Sequence, residues 1–411
     1  MARLLRLLIS GPPSPDHAYG RDRPNISHMG KSRRIAKKLN LYFNAHLVTK
    51  ISVIKMMIYS FYNNKGGVGK TTLAQNAAAL YAQNHPEKQV LVLDLCPQAN
   101  ISQFLLGGGH KGYQTTQQLQ QSHSRKNIVG FMDWILKGNS GFNSINTSYS
   151  VQVSKYNSNI TENLHLIAGD SFLESLSLAL NYAVINPANR KAWPEFMTAI
   201  RRLCEAEFLD ADYEDLTVFI DCNPSFAIYT QMALVSSDRL IIPMMADFSS
   251  LEGIKSMMML LYGEYPSEAQ KKYADGIITF TNQINDYELD LPTMFEFVFN
   301  NFTTNAGIAQ AFQSVRDELS QFCFKQYLKN PDLFTSIGEE IKTLAKWKNN
   351  YICNTKDFHT SAKVSASLGI PLHKLPDRTK YTMPDGKVVD LPRQNYAESL
   401  DDVTKFVNRI E

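Results

Sequence analysis

The stretch that decides the fold is "MIYSFYNNKGGVGKTTLAQNAAALYAQNHPEKQVLVLDL", residues 57–95. It opens on a short apolar, β-rich run and passes through a glycine-rich loop. Leu73, Ala77, Leu80 and Tyr81 then recur at helical spacing. Pro86 ends that helix, and "QVLVLDL" follows as the continuous apolar run of a strand buried on both faces. The order is strand, glycine loop, helix, strand. A glycine turn at a helix N-terminus suits phosphate, because backbone N–H groups converge on the anion and the helix end adds positive potential. Gly66, Gly67, Val68, Gly69, Lys70, Thr71 and Thr72 are the expected nucleotide-binding residues. Lys70 is placed to reach the β- and γ-phosphates and Thr71 to hold Mg²⁺. The ordinary pattern G-x-x-x-x-G-K-[ST], counted back from Gly69, requires glycine at position 64. Here Asn64 stands there, followed by Lys65, so a loop that needs one lysine carries two.

Working outward, further strands are predicted at 216–222, 239–244, 295–301 and 368–372, with helical segments between them. Such alternation indicates an α/β fold: a doubly wound, mostly parallel sheet flanked by helices, with ligands at the carboxyl ends of the strands. Residues 107–163 are rich in Gly, Gln, Ser and Asn. They read as a polar surface insertion with one short helix around "VGFMDWILKG" (129–138), the triple glycine 107–109 being loop. Residues 1–56 hold eleven Lys/Arg against two Asp, a balance of +9, whereas 57–411 hold 31 Lys/Arg against 37 Asp/Glu, a balance of −6. The basic leader is expected to be disordered or to follow from a mis-assigned start, with Met56 or Met57 opening the folded domain, 57–411. Five cysteines without a C-x-x-C pair argue against a disulfide framework or a zinc site and for a reducing cytoplasm. No apolar run reaches the ~18–20 residues of a membrane span.

The loop with Lys65, together with "LVLDLCPQANIS" (91–102), "VFIDCNPSFAIYTQMAL" (218–234) and "IIPMMADFSSLEGI" (241–254), resembles the ParA/MinD family of deviant Walker-A partition ATPases. The resemblance implies a P-loop NTPase fold, ATP and Mg²⁺ as cofactors, and a homodimer formed on ATP binding. In that dimer Lys65 contacts the phosphates in the partner's site, and a second cation there offsets charge developing in phosphoryl transfer. Asp94 and Asp221 are implied organisers of Mg²⁺ beside Thr71, through water, and Asn300 is implied at the adenine base. The implied catalytic set is Lys65, Lys70, Asp94 and position 96. That last position departs from the family's D-x-D, because Cys96 replaces the second aspartate. A thiol with a pKa near ~8.5 is mostly neutral at pH 7 and a weak acceptor, so it should orient water poorly. The expectation is a weak Mg²⁺-dependent ATPase whose hydrolysis is slow or partner-dependent.

Two outputs are known in the family: non-specific DNA binding and attachment to membranes by a basic amphipathic C-terminal helix. Here "NYAESLDDVTKFVNRIE" puts Leu400, Val403, Phe406, Val407 and Ile410 on one face, with an acidic balance on the other. That disfavours anionic lipid and predicts packing on the body. Residues 342–411 hold twelve Lys/Arg and eight Asp/Glu, and Lys342, Lys346, Lys348, Lys356, Lys363, Arg378, Lys380 and Arg393 are candidate DNA contacts. The expected role is plasmid or chromosome partition with nucleoid DNA and a ParB-like adaptor. The alternatives are a same-fold regulatory or positioning ATPase, or an ATP-binding scaffold with little hydrolysis.

Overall fold

The computed structural model describes residues 55–410, except 140–143, 146, 186–188, 190, 210, 301–305, 356–357 and the side chains of 306–312 and 359. The basic leader and Lys356 lie outside the described residues. Eight strands form one sheet: β1 (Met56–Phe61), β2 (Lys88–Asp94), β3 (Val151–Gln152), β4 (Leu164–Ile167), β5 (Asp215–Asp221), β6 (Arg239–Met244), β7 (Thr293–Phe299) and β8 (Ile352–Asn354). Their spatial order is β3-β4-β2-β5-β1-β6-β7-β8. Every pairing is parallel except β3 with β4, which closes one edge antiparallel.

The apolar runs of the central strands follow from this topology, because helices cover both faces. Along β2, Leu91 and Leu93 point into one core while Val90 and Val92 point into the other. The second core takes Leu73, Ala77 and Tyr81 of the helix Lys70–Asn84 and Val403, Phe406 and Val407 of the helix Arg393–Val407. The apolar C-terminal stripe therefore packs on the body, with Phe406 against Phe61 at 6.2 Å between ring centroids. No helix among the described residues is long and apolar enough to cross a membrane.

Two segments differ from expectation. "LGIPL" (368–372) is not a strand. Leu368 ends the helix His359–Leu368, and Gly369 caps it in the left-handed region at φ 63°. The sheet's last strand is instead Ile352–Asn354, only three residues long and too short to show a period. Within the polar stretch, Gly109–Gln121 is a helix that buries little beyond Gly112 and Thr116, so its apolar pattern is faint. The glycines before it serve close backbone approach: a Cβ on Gly108 would meet the Gly369 nitrogen at 2.2 Å.

Candidate functional site at the carboxyl end of the sheet

Strand β5 lies between β2 and β1, and Asp94 and Asp221 are paired across β2 and β5 at their last residues. The topology thus brings both carboxylates to the mouth of the loop that follows β1. Gly67 and Gly69 take φ of 74° and 86°, where a side chain is disfavoured, and Gly69 opens the helix Lys70–Asn84. A Cβ on Gly66 or Gly67 would meet nothing within 4 Å, so these backbones face open space. A cavity of about 690 Å³ lies there, lined by Gly66, Gly67, Lys70 and Thr71 on one side and Cys96, Asn100, Glu174 and Asn223 on the other.

Inside the loop, Lys70 Nζ donates to the carbonyls of Asn63 and Lys65 at 3.1 and 2.9 Å. Burial pulls its pKa down, against the opposing pull of Asp221. Asn63 fixes the turn, donating to the Pro243 carbonyl and accepting from the Lys65 N–H. Val68 is buried, and its carbonyl accepts from Asn300 Nδ2 at 3.2 Å. A Cβ on Gly69 would fall 2.1 Å from that Asn300 amide nitrogen. Asn300, which resemblance places at the adenine, thus braces the flank of the loop. Lys65 Nζ lies 2.5 Å from Asp247, the carboxylate that caps the helix Phe248–Tyr262. Within one chain the second lysine is paired in cis.

The two strand-end aspartates are both fully buried yet differently used. Asp94 accepts from the Cys96 N–H at 3.0 Å and from the Ser102 N–H and hydroxyl at 3.1 and 2.6 Å. A Cβ on Gly169 would meet Asp94 Oδ2 at 2.9 Å, so glycine lets the chain close over this carboxylate. Asp221 Oδ2 accepts from the Thr71 hydroxyl at 2.7 Å, whereas Oδ1 has no hydrogen-bond partner among the described residues. Burial pushes Asp94 up to about 6 and, with the Asp94 charge adding to it, Asp221 up to about 7. Cys96 Sγ stands 4.0 Å from Asp221 Oδ2. Burial first, then Asp221 and Asp94, pushes its thiol far above the usual range. A divalent cation would reverse that balance by favouring the charged carboxylates.

Thr71, the unpartnered Asp221 oxygen and the open glycine cradle fit Mg²⁺ and a phosphate chain. Lys65, Lys70, Thr71, Asp94, Cys96 and Asp221 thus gather around the loop, with Thr72 on the cavity wall. Sequence reasoning missed Ser102, Gly169, Glu174, Asn223 and Asp247. Ser102 stands in the quoted 91–102 segment, but only the turn after β2 shows that its hydroxyl returns to Asp94.

A protein-family model described as "AAA domain" matches residues 56–264, just over half of the chain. A ParA family protein of Mycoplasma pneumoniae is 28% identical over 198 residues, 48% of this chain and 62% of that protein. The sporulation initiation inhibitor protein Soj of Bacillus subtilis is 24% identical over 201 residues, 49% of this chain and 63% of that protein. The matched stretch thus spans about three fifths of each relative's length. Among solved structures, Cyanothece McdA in complex with ATP is similar at a TM-score of 0.49 and 13% identity, over 86% of this chain and 97% of that one. With its mostly parallel sheet and its glycine loop after the central strand, the chain belongs to the ParA/MinD family of P-loop ATPases.

Proposed function

We propose that this protein is an ATP-dependent dimeric switch of the ParA type, acting in plasmid or chromosome partition through ATP-dependent, non-specific DNA binding. The observation that supports it best is the joint placement of Lys70, Thr71 and the unpartnered Asp221 oxygen beside an open glycine cradle. Lys70 and the loop N–H groups hold the phosphates, and Thr71 and Asp221 hold Mg²⁺, with Asp94 fixing the turn that presents Cys96. Mg²⁺ neutralises charge on the phosphates when bound. Lys65 serves the partner's ATP, which requires exchanging its Asp247 pair for the partner's phosphate. Hydrolysis is slow and adaptor-stimulated, because the residue facing the cavity at position 96 is a neutral thiol.

The DNA surface draws on cations outside existing ion pairs. Lys342, Lys346, Lys348 and Arg393 each pair with a carboxylate, Glu340, Glu339, Asp317 and Asp377 respectively. Lys363, Arg378 and Lys380 are exposed and make no ion pair among the described residues. DNA binding measured with and without ATP across a salt series tests the proposal. Binding confined to the ATP state, falling steeply with salt, is expected. A second reading, an ATP-binding scaffold with little turnover, is favoured by Cys96; it predicts ATP-locked dimers that do not hydrolyse even with DNA and adaptor present.

A further inference from the structure

We infer that, in the absence of nucleotide, Cys96 and Asp221 form a sulfur-containing cation site that takes a thiophilic divalent ion more readily than Mg²⁺. The inference rests on the reading of this cavity as a nucleotide site and concerns the ion that the site selects. Ligand atoms of Asp94, Cys96 and Asp221 all lie within 4.8 Å of one another. Asp94 has both oxygens occupied by protein donors, so it supplies negative charge more than coordination. Asp221 is fully buried, and its Oδ1 has no hydrogen-bond partner among the described residues. That oxygen is an acceptor taken out of water with nothing to compensate it, an arrangement that costs stability unless a ligand restores a partner.

The spacing suits a metal. An ion about 2.3 Å from sulfur and about 2.0–2.2 Å from a carboxylate oxygen can bridge these two ligand types; Cys96 Sγ stands 4.0 Å from Asp221 Oδ2, the oxygen of that carboxylate which also accepts from the Thr71 hydroxyl. Mg²⁺ takes oxygen ligands in near-octahedral geometry and releases water reluctantly, whereas thiolate ligands select softer ions. An aspartate at position 96 would keep the cluster all-oxygen, and cysteine changes its preference. On binding, the thiol releases its proton to solvent and the thiolate coordinates the ion; no redox partner is involved. Cys96 is also accessible, since the other four cysteines are buried and it alone is partly exposed on the cavity wall.

The test uses Co²⁺ alone, added to the reduced full chain without nucleotide and read by its absorption spectrum. The expected result is one Co²⁺ per chain with a sulfur-to-cobalt charge-transfer band. Cys96→Ser should lose the band and weaken Co²⁺ binding roughly tenfold or more, while Cys222→Ala should keep both. Absence of the band in the parent chain, or its survival in Cys96→Ser, overturns the inference. Thermal melting and MgATP binding of each variant show whether it is folded. A chain that binds MgATP but gives no sulfur band refutes only the cation preference. A chain that gives the band but binds no nucleotide refutes the function proposed above.

Discussion

The carboxyl end of the sheet and the C-terminal seventy residues both hold charged groups that the sequence offers as functional, and they use them differently. At the sheet end, Asp94 and Asp221 share one register level on adjacent strands and the same complete burial. One is saturated by three donors and the other keeps an oxygen without a partner among the described residues. In the C-terminal region, four of the candidate cations are already neutralised by carboxylates. A side chain's chemistry is therefore a poor guide to its availability. Local hydrogen bonds decide which carboxylate is open to a cation, and surface ion pairs decide which lysines are open to phosphate.

The comparison can be broken in several places. The largest effect is expected at Cys96. If a neutral thiol is what slows the site, Cys96→Asp should raise the ATP turnover number by roughly 100-fold, the low end for a water-orienting group. Unchanged turnover in a steady-state phosphate-release assay would remove that argument. Next, Lys70→Ala removes a charge-assisted phosphate contact of about 2–2.8 kcal/mol, a loss of roughly 30–100-fold in ATP affinity. Equilibrium binding of a fluorescent ATP analogue measures it, and an unaltered dissociation constant would mean that phosphate binds elsewhere.

In the C-terminal region, changing Lys363, Arg378 and Lys380 together to Ala should weaken DNA binding and flatten its salt dependence by up to about three phosphate contacts. Changing Lys342, Lys346 and Lys348 should alter it far less, since each of these lysines has a carboxylate partner. Equal effects of the two triples would erase the distinction between paired and unpaired cations.

The smallest effect concerns Glu296 on β7. It is buried against Arg409 with one oxygen lacking a partner among the described residues, and burial pushes its carboxyl up to about 8 despite the arginine. An acid whose folded pKa is raised contributes stability that is full below its unfolded value and is lost as pH rises through the folded one. Melting temperature should therefore fall as pH rises from about 4.5 to 8, and the fall should be shallower in Glu296→Gln. A parallel profile in the variant would assign the dependence to other groups.

Much of the fold was legible because the deciding features are local. The glycine loop, the helix after it and the apolar runs of β1, β2, β5 and β6 are each written in consecutive residues. The short strands β3, β4 and β8 were not legible, since two to four residues show no period. "LGIPL" misled for a different reason: its glycine serves a left-handed cap and a close backbone contact, which apolar composition hides. In the site, Lys70, Thr71, Asp94 and Asp221 could be read from motif position. Ser102 and Gly169 could not, because their roles are set by where the chain returns in space. Nor could the Lys65–Asp247 pair, whose members stand 182 residues apart.

Sedimentation velocity of the full chain with and without MgATP, beside Lys65→Ala, tests the central claim most directly. The account predicts that ATP converts the parent from monomer to dimer and leaves the variant monomeric, although both bind the nucleotide. A Lys65→Ala variant that dimerises with ATP as the parent does would contradict it.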